Sequence, residues 1–299
     1  MDMLQIRNLH KRFGDKQVIN GLNLTVPENS IFGFIGKNGA GKTTTMKAIL
    51  GLLKADSGEI YVAGERVRFG QTSTNRWVGF LPDVPEFYPF MTAREYLQFC
   101  GELAGLEKAE IHQRSEELLT LVGLQDENHR IKGFSRGMKQ RLGIAQALMN
   151  RPKLLICDEP TSALDPVGRK EILDILLSLK KNTTILFSTH ILSDVERICT
   201  DIALLNDGEV VLQGKLSDLK STYRSDAFRI ELTDEMQQAQ LVKAFPQIKR
   251  AENRMLIFRE QECSQRDILR YIAENDLSVN KLERVESTVE SFFMGVVEK

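Results

Sequence analysis

Short alternating runs of apolar and polar residues fill the first 70 positions of the chain. In LQIRNLHKRF and GEIYVAGERV the alternation has a period of two, and glycine, asparagine and proline separate the runs. This alternation is typical of half-buried strands, so we predict strands and hairpins here. One segment differs, because the mostly apolar SIFGFIG precedes GKNGAGKTTTMKAILGLL. That order predicts a buried strand, a glycine loop and a helix.

Helical spacing of apolar residues dominates from about residue 83 to residue 135. TAREYLQFCGELAGL and KAEIHQRSEELLTLVGL both show it, so we predict an inserted helical subdomain. MKQRLGIAQALMNRP continues the spacing until Asn150 and Pro152 stop it. Apolar strand patterns then return in LLICDEP and TTILFSTH, on either side of the helical GRKEILDILLSLKK. Alternating strands and helices predict an α/β core with buried parallel strands.

Two features near residue 215 indicate where this core ends. ALLNDGEVVLQG predicts a hairpin with an Asp207-Gly208 turn, and the polar SDLKSTYRSD follows it. We therefore place one domain at residues 1–222 and a second at residues 223–299. In the second, the strand-like FRIELTD and RMLIFRE alternate with helical segments, which predicts a small α+β domain.

The amino-acid composition argues against several classes of protein. The 299 residues are 42% hydrophobic and 27% charged with a net charge of −1, which argues against nucleic acid as a partner. The four cysteines are widely spaced without a CxxC pair, so we expect no zinc site or disulfide framework, and a reducing compartment. We find no signal-peptide pattern and no apolar run near 20 residues. We expect a cytoplasmic chain that reaches a membrane only through another polypeptide.

A phosphate-binding motif follows the first buried strand. Residues 36–44, here called the phosphate loop, match the pattern G-x-x-x-x-G-K-[ST]. Backbone amides in such a loop turn toward phosphate oxygens, the lysine reaches the β and γ phosphates, and the hydroxyl after it can bind Mg²⁺. We therefore predict ATP and Mg²⁺ as cofactors. The predicted ATP-binding residues of the loop are Gly36, Lys37, Asn38, Gly39, Ala40, Gly41, Lys42, Thr43 and Thr44.

Two further segments are candidates for chemistry. LLICDEP places Asp158 and Glu159 at the end of a strand, where open α/β sheets bind ligands. Asp158 would hold Mg²⁺ and Glu159 would act on the attacking water as general base, although such a pair alone is more often a solvated edge. FSRGMKQR, residues 134–141, places Ser135 and Gly137 at the start of a helix, as in an anion site, but offers no acid, base or nucleophile.

These motifs together resemble the ATP-binding subunits of ABC transporters. GKNGAGKTT, FSRGMKQR, LLICDEP, SALD at residues 162–165, and the histidine that ends TTILFSTH follow that family's order over roughly residues 2–220. The resemblance implies a P-loop NTPase core of ABC type with an antiparallel β subdomain and an inserted helical subdomain. It also implies a dimer in which each ATP lies between one phosphate loop and the partner's residues 134–141, hereafter the signature segment.

The resemblance assigns roles to individual residues. His190 would contact the γ phosphate and join Glu159 and Lys42 as catalytic residues, although a histidine at a strand end is otherwise a structural cap. Phe13 would stack on adenine, and Asp165 belongs to the segment at residues 162–165, the D-loop. Ser135 and Gly137 would bind the γ phosphate held by the partner.

Two positions depart from the family pattern. Asp83 replaces the usual glutamine, and it would either bind Mg²⁺ or act as a turn residue after proline. Arg136 replaces the first glycine of the signature, and it would either add charge at the phosphate or point to solvent. The aromatic residues of EFYPF lie where the family meets its membrane subunit, but they are equally compatible with a core.

The resulting hypothesis is an ATP-hydrolysing subunit that powers transport through a separate membrane permease. The C-terminal region resembles the small domain of bacterial drug- and antibiotic-resistance subunits, with a similar tail ESTVESFFMGVVEK, which favours export. One alternative is a regulatory ABC module without transport, which the single cassette opposes. Another is a hydrolysis-poor subunit of a heterodimer, which intact Glu159 and His190 oppose. Substrate, homo- or heterodimer, and the C-terminal domain's role stay open.

Overall fold

The computed structural model describes residues 2–71, 73–222, 227–251 and 255–285. Described residues up to Asp218 belong to one compact unit, and those from Leu219 onward belong to a second. The strands of the first unit are β1 (Asp2–Phe13), β2 (Lys16–Pro27), β3 (Ile31–Ile35), β4 (Ser57–Val62), β5 (Glu65–Arg66), β6 (Val78–Leu81), β7 (Leu154–Asp158), β8 (Thr184–Thr189), β9 (Asp201–Asn206) and β10 (Glu209–Lys215).

Helices alternate with these strands. They are α1 (Lys42–Ile49), α2 (Ala93–Leu103), α3 (Lys108–Leu121), α4 (Arg136–Ala147), α5 (Pro166–Leu179), α6 (Leu192–Ile198) and α7 (Leu216–Thr222), with short 3₁₀ turns at Ser73–Trp77 and Ile131–Gly133. Within the described residues, we find no helix with the length and apolarity to span a bilayer.

The central sheet has the strand order β10-β9-β3-β8-β7-β6. Pairing is parallel from β9 through β6, and only β10 joins antiparallel. Every position of β3, β7 and β8 is buried, which explains their continuous apolar sequences. The carboxyl ends of the parallel strands share one edge, where β3 leads into the phosphate loop and β7 leads into Glu159. The predicted α/β fold class is confirmed.

A second, antiparallel sheet has the order β2-β1-β4-β5. Its inward-facing residues, such as Leu4 and Leu24, pack in one core with Phe32 and Phe34 of β3 and with Met46 of α1. The Asp207-Gly208 turn joins β9 to β10 with both residues at positive φ, 46° and 82°, as a two-residue hairpin turn requires.

Helices α2, α3 and α4 form the predicted helical region between β6 and β7. A capping box starts α2, because the Thr92 hydroxyl accepts from the Glu95 amide and the Glu95 carboxylate accepts from the Thr92 amide. Helix α4 packs tightly on β6. A Cβ built on Gly79 would lie 2.1 Å from the carbonyl oxygen of Ala147, and one on Gly143 would lie 2.6 Å from Leu81.

The second unit has its own core. Its elements are β11 (Ala227–Leu232), α8 (Glu235–Ala244), β12 (Lys249–Arg250), β13 (Met255–Arg259), α9 (Gln265–Glu274) and β14 (Val279–Arg284). The sheet order β12-β13-β11-β14 with antiparallel pairing is the split β-α-β arrangement. Phe228 and Phe258 stack with ring centroids 5.3 Å apart. The α+β prediction is therefore confirmed, whereas the tail ESTVESFFMGVVEK lies outside the described residues.

Candidate nucleotide-binding site

The phosphate loop connects β3 to α1 through a backbone that requires glycine. Gly39 and Gly41 have φ of 85° and 111°, in the region that side chains disfavour. A Cβ on Gly36 would lie 2.7 Å from the carbonyl oxygen of Leu205. Gly41 is also the N-cap residue of α1, so the first amides of this helix face the space enclosed by the loop.

The Lys42 ammonium group folds back over this loop. It donates hydrogen bonds to the Gly36 carbonyl at 2.6 Å and to the Lys37 carbonyl at 3.3 Å. Nζ also lies 3.1 Å from Oε1 of Glu159. The side chain is only 6% exposed. A buried cation that is held mainly by neutral carbonyl groups is well placed to receive a phosphate oxygen.

Asp158, at the end of β7, has both carboxylate oxygens in hydrogen bonds. The Thr43 hydroxyl donates to Oδ2 at 2.7 Å, and the Ser188 hydroxyl donates to Oδ1 at 2.6 Å. Asp158 is almost fully buried. A carboxylate beside a hydroxyl is a hard-oxygen set of the kind that Mg²⁺ prefers. Ser188 was not predicted from the sequence, where its one signal is its place two residues before His190, on the strand next to β7.

Glu159 begins the turn after β7 and is held from several sides. Its φ is 48°, and its amide donates to the carbonyl and hydroxyl oxygens of Ser188 at 3.2 and 3.0 Å. Oε2 lies 2.9 Å from Nδ1 of His190. Oε1 is buried and, among the described residues, has no hydrogen-bond partner. The Lys42 contact is thus an ion pair without hydrogen-bond geometry, and the lone pairs of Oε1 stay available for a hydrogen bond.

These groups line one cavity of about 340 Å³. Its lining residues are Lys37, Asn38, Gly39, Gly41, Lys42, Thr43, Thr44, Asp83, Asp158 and Glu159. The cavity brings together the predicted phosphate loop, the acidic pair and Asp83. It lies where the parallel strands end, as sequence analysis predicts for a ligand site in an open α/β sheet.

Other predicted residues lie outside the described lining of this cavity. The Ser135 hydroxyl accepts from the Met138 amide at 3.2 Å and caps α4, with Gly137 in its first turn. Asp165 caps α5 through the Gly168 amide at 3.1 Å. Phe13 is 51% exposed at the end of β1, with the Lys11 ammonium 5.2 Å from its ring centroid. The single chain therefore assembles only part of the predicted site.

Asp83 and Arg136, the two departures from the family pattern, contact each other. Arg136 Nη2 lies 3.7 Å from Oδ1 of Asp83 and 3.4 Å from the Ser162 hydroxyl. That hydroxyl donates a hydrogen bond to the same Asp83 oxygen. Arg136 is exposed and contacts its own chain, and its role at the phosphate held by a partner stays a prediction.

A buried network missed from the sequence fixes the turn after Glu159. The Thr161 hydroxyl donates to Oδ2 of Asp194 at 2.7 Å, and Nε of Arg169 donates to Oδ1 at 2.7 Å. Thr161 and Asp194 are almost fully buried. The ion pair links α5 and α6 to the loop between Glu159 and the D-loop. Asp194 is 25 residues from Arg169 and 33 residues from Thr161 in sequence, so no local pattern indicates these contacts.

Aromatic residues form an exposed group at the start of the helical region. Phe87 packs edge-on against buried Tyr96, with ring centroids 5.0 Å apart. Tyr88 and Phe90 lie 5.8 Å apart and are 48% and 61% exposed. The group is therefore core at one end and surface at the other.

Comparison with known proteins gives matches over nearly the whole chain. A family model described as ABC transporter matches residues 19–162. A second, described as ATP-binding protein DrrA1-3-like, C-terminal domain, matches residues 214–297. Among solved structures, an ATP-binding subunit of an ABC transporter is 33% identical with a TM-score of 0.66, covering 74% of this chain and 93% of that one. A dimeric cassette MJ0796 bound to ADP and Pi is 27% identical with a TM-score of 0.65, over 72% and 99%.

Curated relatives extend the comparison to full length. The bacitracin transport ATP-binding protein BcrA of Bacillus licheniformis is 35% identical, over 99% of this chain and 97% of that protein. The linearmycin resistance ATP-binding protein LnrL of Bacillus subtilis is 37% identical, over 77% and 75%. The uncharacterized ABC transporter ATP-binding protein YxlF of Bacillus subtilis is 42% identical, over 79% and 78%.

Proposed function

Because this chain belongs to the ABC transporter family of ATP-binding proteins, we propose that it hydrolyses ATP at the cavity around Glu159 to drive export through a separate membrane permease. The observation that carries the proposal is the buried Oε1 of Glu159, which pairs with the Lys42 ammonium at 3.1 Å and, among the described residues, accepts no hydrogen bond. A buried acceptor beside a phosphate-binding cation is what a general base for water attack on phosphate requires.

Each residue has a defined part in the proposed reaction. Lys42 neutralises charge on the γ phosphate as it leaves the carbonyls that now hold it. Oε1 of Glu159 accepts the proton of the attacking water, while His190 holds the other oxygen, Oε2, in place at 2.9 Å. The amides of the phosphate loop bind the remaining phosphate oxygens.

The residues present fit Mg²⁺. The Thr43 hydroxyl and the Asp158 carboxylate lie 2.7 Å apart and offer only oxygen donors. Thr43 and Asp158 would hold the ion, and its positive charge would stabilise the negative charge of the reacting phosphoryl group. Ser188 orients the Asp158 carboxylate from behind. Asp83 lines the same cavity but is engaged by Ser162 and Arg136, so we assign it no direct role toward the metal.

The proposed working unit is a dimer of nucleotide-binding domains. Ser135 and the amides near Gly137 start α4 outside the cavity of their own chain. An uncovered helix N-terminus carrying a serine cap suits the phosphate of a second copy or a related subunit. We place the dimer at the cytoplasmic face of the membrane, where Tyr88 and Phe90 would meet the permease.

The proposed cargo is an antimicrobial compound. The relatives BcrA and LnrL are named for bacitracin transport and linearmycin resistance, and the DrrA1-3-like match covers the C-terminal unit. We propose the same class of function here, without assigning a compound.

A resistance assay with purification tests the proposal. The chain is expressed with the membrane protein that copurifies with it from detergent extract, in a strain susceptible to peptide and polyene antibiotics. We expect raised minimal inhibitory concentrations for at least one compound, and MgATP hydrolysis by the purified complex. Lys42→Ala serves as the inactive control. An ATPase-active complex that protects against nothing would contradict export of antimicrobials, and a complex without ATPase activity would contradict the enzymatic proposal.

A further inference from the structure

We propose that Asp83 and Arg136 are a matched pair of positioning residues, which hold the N-terminus of α4 to the loop after Glu159 within one chain. The inference rests on the proposed function, because it concerns how the hydrolytic site is aligned. It adds to that function a role for the two residues that depart from the family pattern. Neither residue acts on phosphate itself in this proposal.

The geometry links three segments that are distant in sequence. Asp83 follows β6, Arg136 is the first residue of α4, and Ser162 opens the D-loop. Oδ1 of Asp83 receives both the Ser162 hydroxyl and the Arg136 guanidinium, the latter at 3.7 Å. Arg136 Nη2 also lies 3.4 Å from the Ser162 oxygen. Oδ1 of Asp83 therefore contacts both the start of α4 and the D-loop.

Ser162 also contacts Glu159, the proposed general base. Its amide donates to the carbonyl oxygen of Glu159 at 3.0 Å, closing the turn that begins there. Glu159 has a φ of 48°, so the turn has little freedom to adjust. The position of α4 is thereby coupled to the backbone that aims Oε1 of Glu159.

Asp83 also lies at the junction of two cavities. One is the nucleotide cavity, and the other, of about 260 Å³, is lined by Asp83, Val84, Pro85, Arg136, Lys139 and Gln140. The Asp83 carboxylate would face the phosphates of bound ATP if it were unpaired, and like charges repel there. Arg136 offsets that charge.

The strength of the pair follows from its exposure. The side chains of Arg136 and Asp83 are 46% and 48% exposed, so the ion pair is weak in absolute terms and sensitive to salt. Removing an ion pair of this strength changes kcat by up to about fivefold. Its effect is therefore on alignment and turnover rather than on whether the chain folds.

A double-mutant cycle tests the pair in the full-length chain. Asp83→Asn, Arg136→Gln and the double variant remove the charges with little change of shape, and kcat for MgATP is measured for each. We expect each single variant to lower kcat by up to about fivefold and the double variant to match either single variant or exceed it. The coupling should vanish in about 1 M salt, where the screening length falls to about 3 Å.

Controls separate positioning from folding and from phosphate binding. Asp174→Asn with Arg197→Gln removes another exposed pair, whose atoms lie 2.7 Å apart outside the cavity lining, and should leave kcat unchanged. Thermal midpoints should stay within about 2 °C of the wild type. If the fold-reduction in kcat of the double variant equals the product of the two single reductions, the residues act independently and the proposal is overturned. A loss of ATP-driven dimerisation in Arg136→Gln that does not depend on Asp83 would also overturn it, because Arg136 would then be a phosphate ligand.

A second readout does not require activity. Hydrogen exchange of residues 134–141 in the nucleotide-free chain should be faster in each single variant, with no further gain in the double variant. If the increases in exchange rate of the two single variants add up in the double variant, the proposed pairing is overturned, even in a chain without ATPase activity. An inactive wild type would contradict the proposed function, whereas multiplicative effects in an active enzyme would contradict only this inference.

Discussion

Lys42 Nζ lies 3.1 Å from Oε1 of Glu159 and forms an ion pair with it without a hydrogen bond. The cation that would neutralise the γ phosphate and the carboxylate that would take a proton from water are therefore neighbours before nucleotide arrives. When a phosphate binds the ammonium, Oε1 is released from this ion pair and faces the attacking water as proposed base.

Glu159→Gln should abolish turnover while leaving nucleotide binding intact. The amide keeps the size of the side chain but cannot take a proton, and general-base catalysis contributes about 10²- to 10⁴-fold. We expect kcat to fall by that range, with ATP-bound dimers accumulating on size-exclusion chromatography. Asp174→Asn, at an exposed carboxylate, is the matched control. Unaltered ATPase activity in Glu159→Gln would refute the assignment of the base.

Lys42→Ala should weaken nucleotide binding. The variant removes the buried ammonium group that contacts the loop carbonyls and Glu159. Charge-assisted hydrogen bonds are worth about 1.5–3 kcal/mol, so we expect ATP affinity to fall by about 10- to 100-fold in calorimetric titration. Lys47→Ala, at an exposed position of the same helix, controls for loss of a lysine. Equal affinities in the two variants would contradict a phosphate-binding role.

Gly79→Ala should destabilise the first unit. The added Cβ would lie 2.1 Å from the Ala147 carbonyl oxygen, a backbone atom, so β6 and α4 would have to separate. Overpacking of this kind costs about 1–3 kcal/mol in the free energy of unfolding, measurable by urea denaturation. Gly137→Ala is the control, since its Cβ would meet only Leu164 at 4.0 Å. A destabilisation by Gly137→Ala as large as that by Gly79→Ala would contradict the packing argument.

Alkaline pH should lower stability through buried thiols. Burial raises the pKa of the Cys157 thiol, with a further contribution from the Asp158 charge, and burial likewise raises the pKa of Cys199. The folded chain therefore keeps protons that the unfolded chain releases near pH 8.5, so the free energy of unfolding falls as pH rises above that value. Urea midpoints from pH 7.5 to 10, compared between wild type and Cys157→Ala, measure this. A slope unaffected by the substitution would contradict a contribution from Cys157.

Local sequence patterns determine much of what was predictable. The phosphate loop, the buried strands of LLICDEP and TTILFSTH and the Asp207-Gly208 turn each depend on neighbouring residues, so spacing indicates them. Family membership, predicted from five ordered motifs, is confirmed by full-length relatives. The fold class is confirmed as well, including the α+β C-terminal unit.

Contacts between distant segments could not be predicted in this way. Asp83 and Ser162 are 79 residues apart, and Thr161 and Asp194 are 33 apart. Whether these side chains meet depends on how the loops after β6 and β7 and helix α6 are placed on the sheet, which no local periodicity specifies. The roles of Phe13, Ser135 and Asp165 stay predictions, because they concern ligands and a partner.

The tight contact between Gly79 and Ala147 has a mechanical consequence. Helix α4 is clamped to β6 at its C-terminal end, where even a methyl group cannot be inserted. Its N-terminal end, about 17 Å away along the helix axis, is attached to the core by the exposed Arg136 contacts. Because Gly143 also packs against Leu81, the C-terminal half of α4 is fixed on β6, and any tilt of the helix about these contacts would displace Ser135 the most.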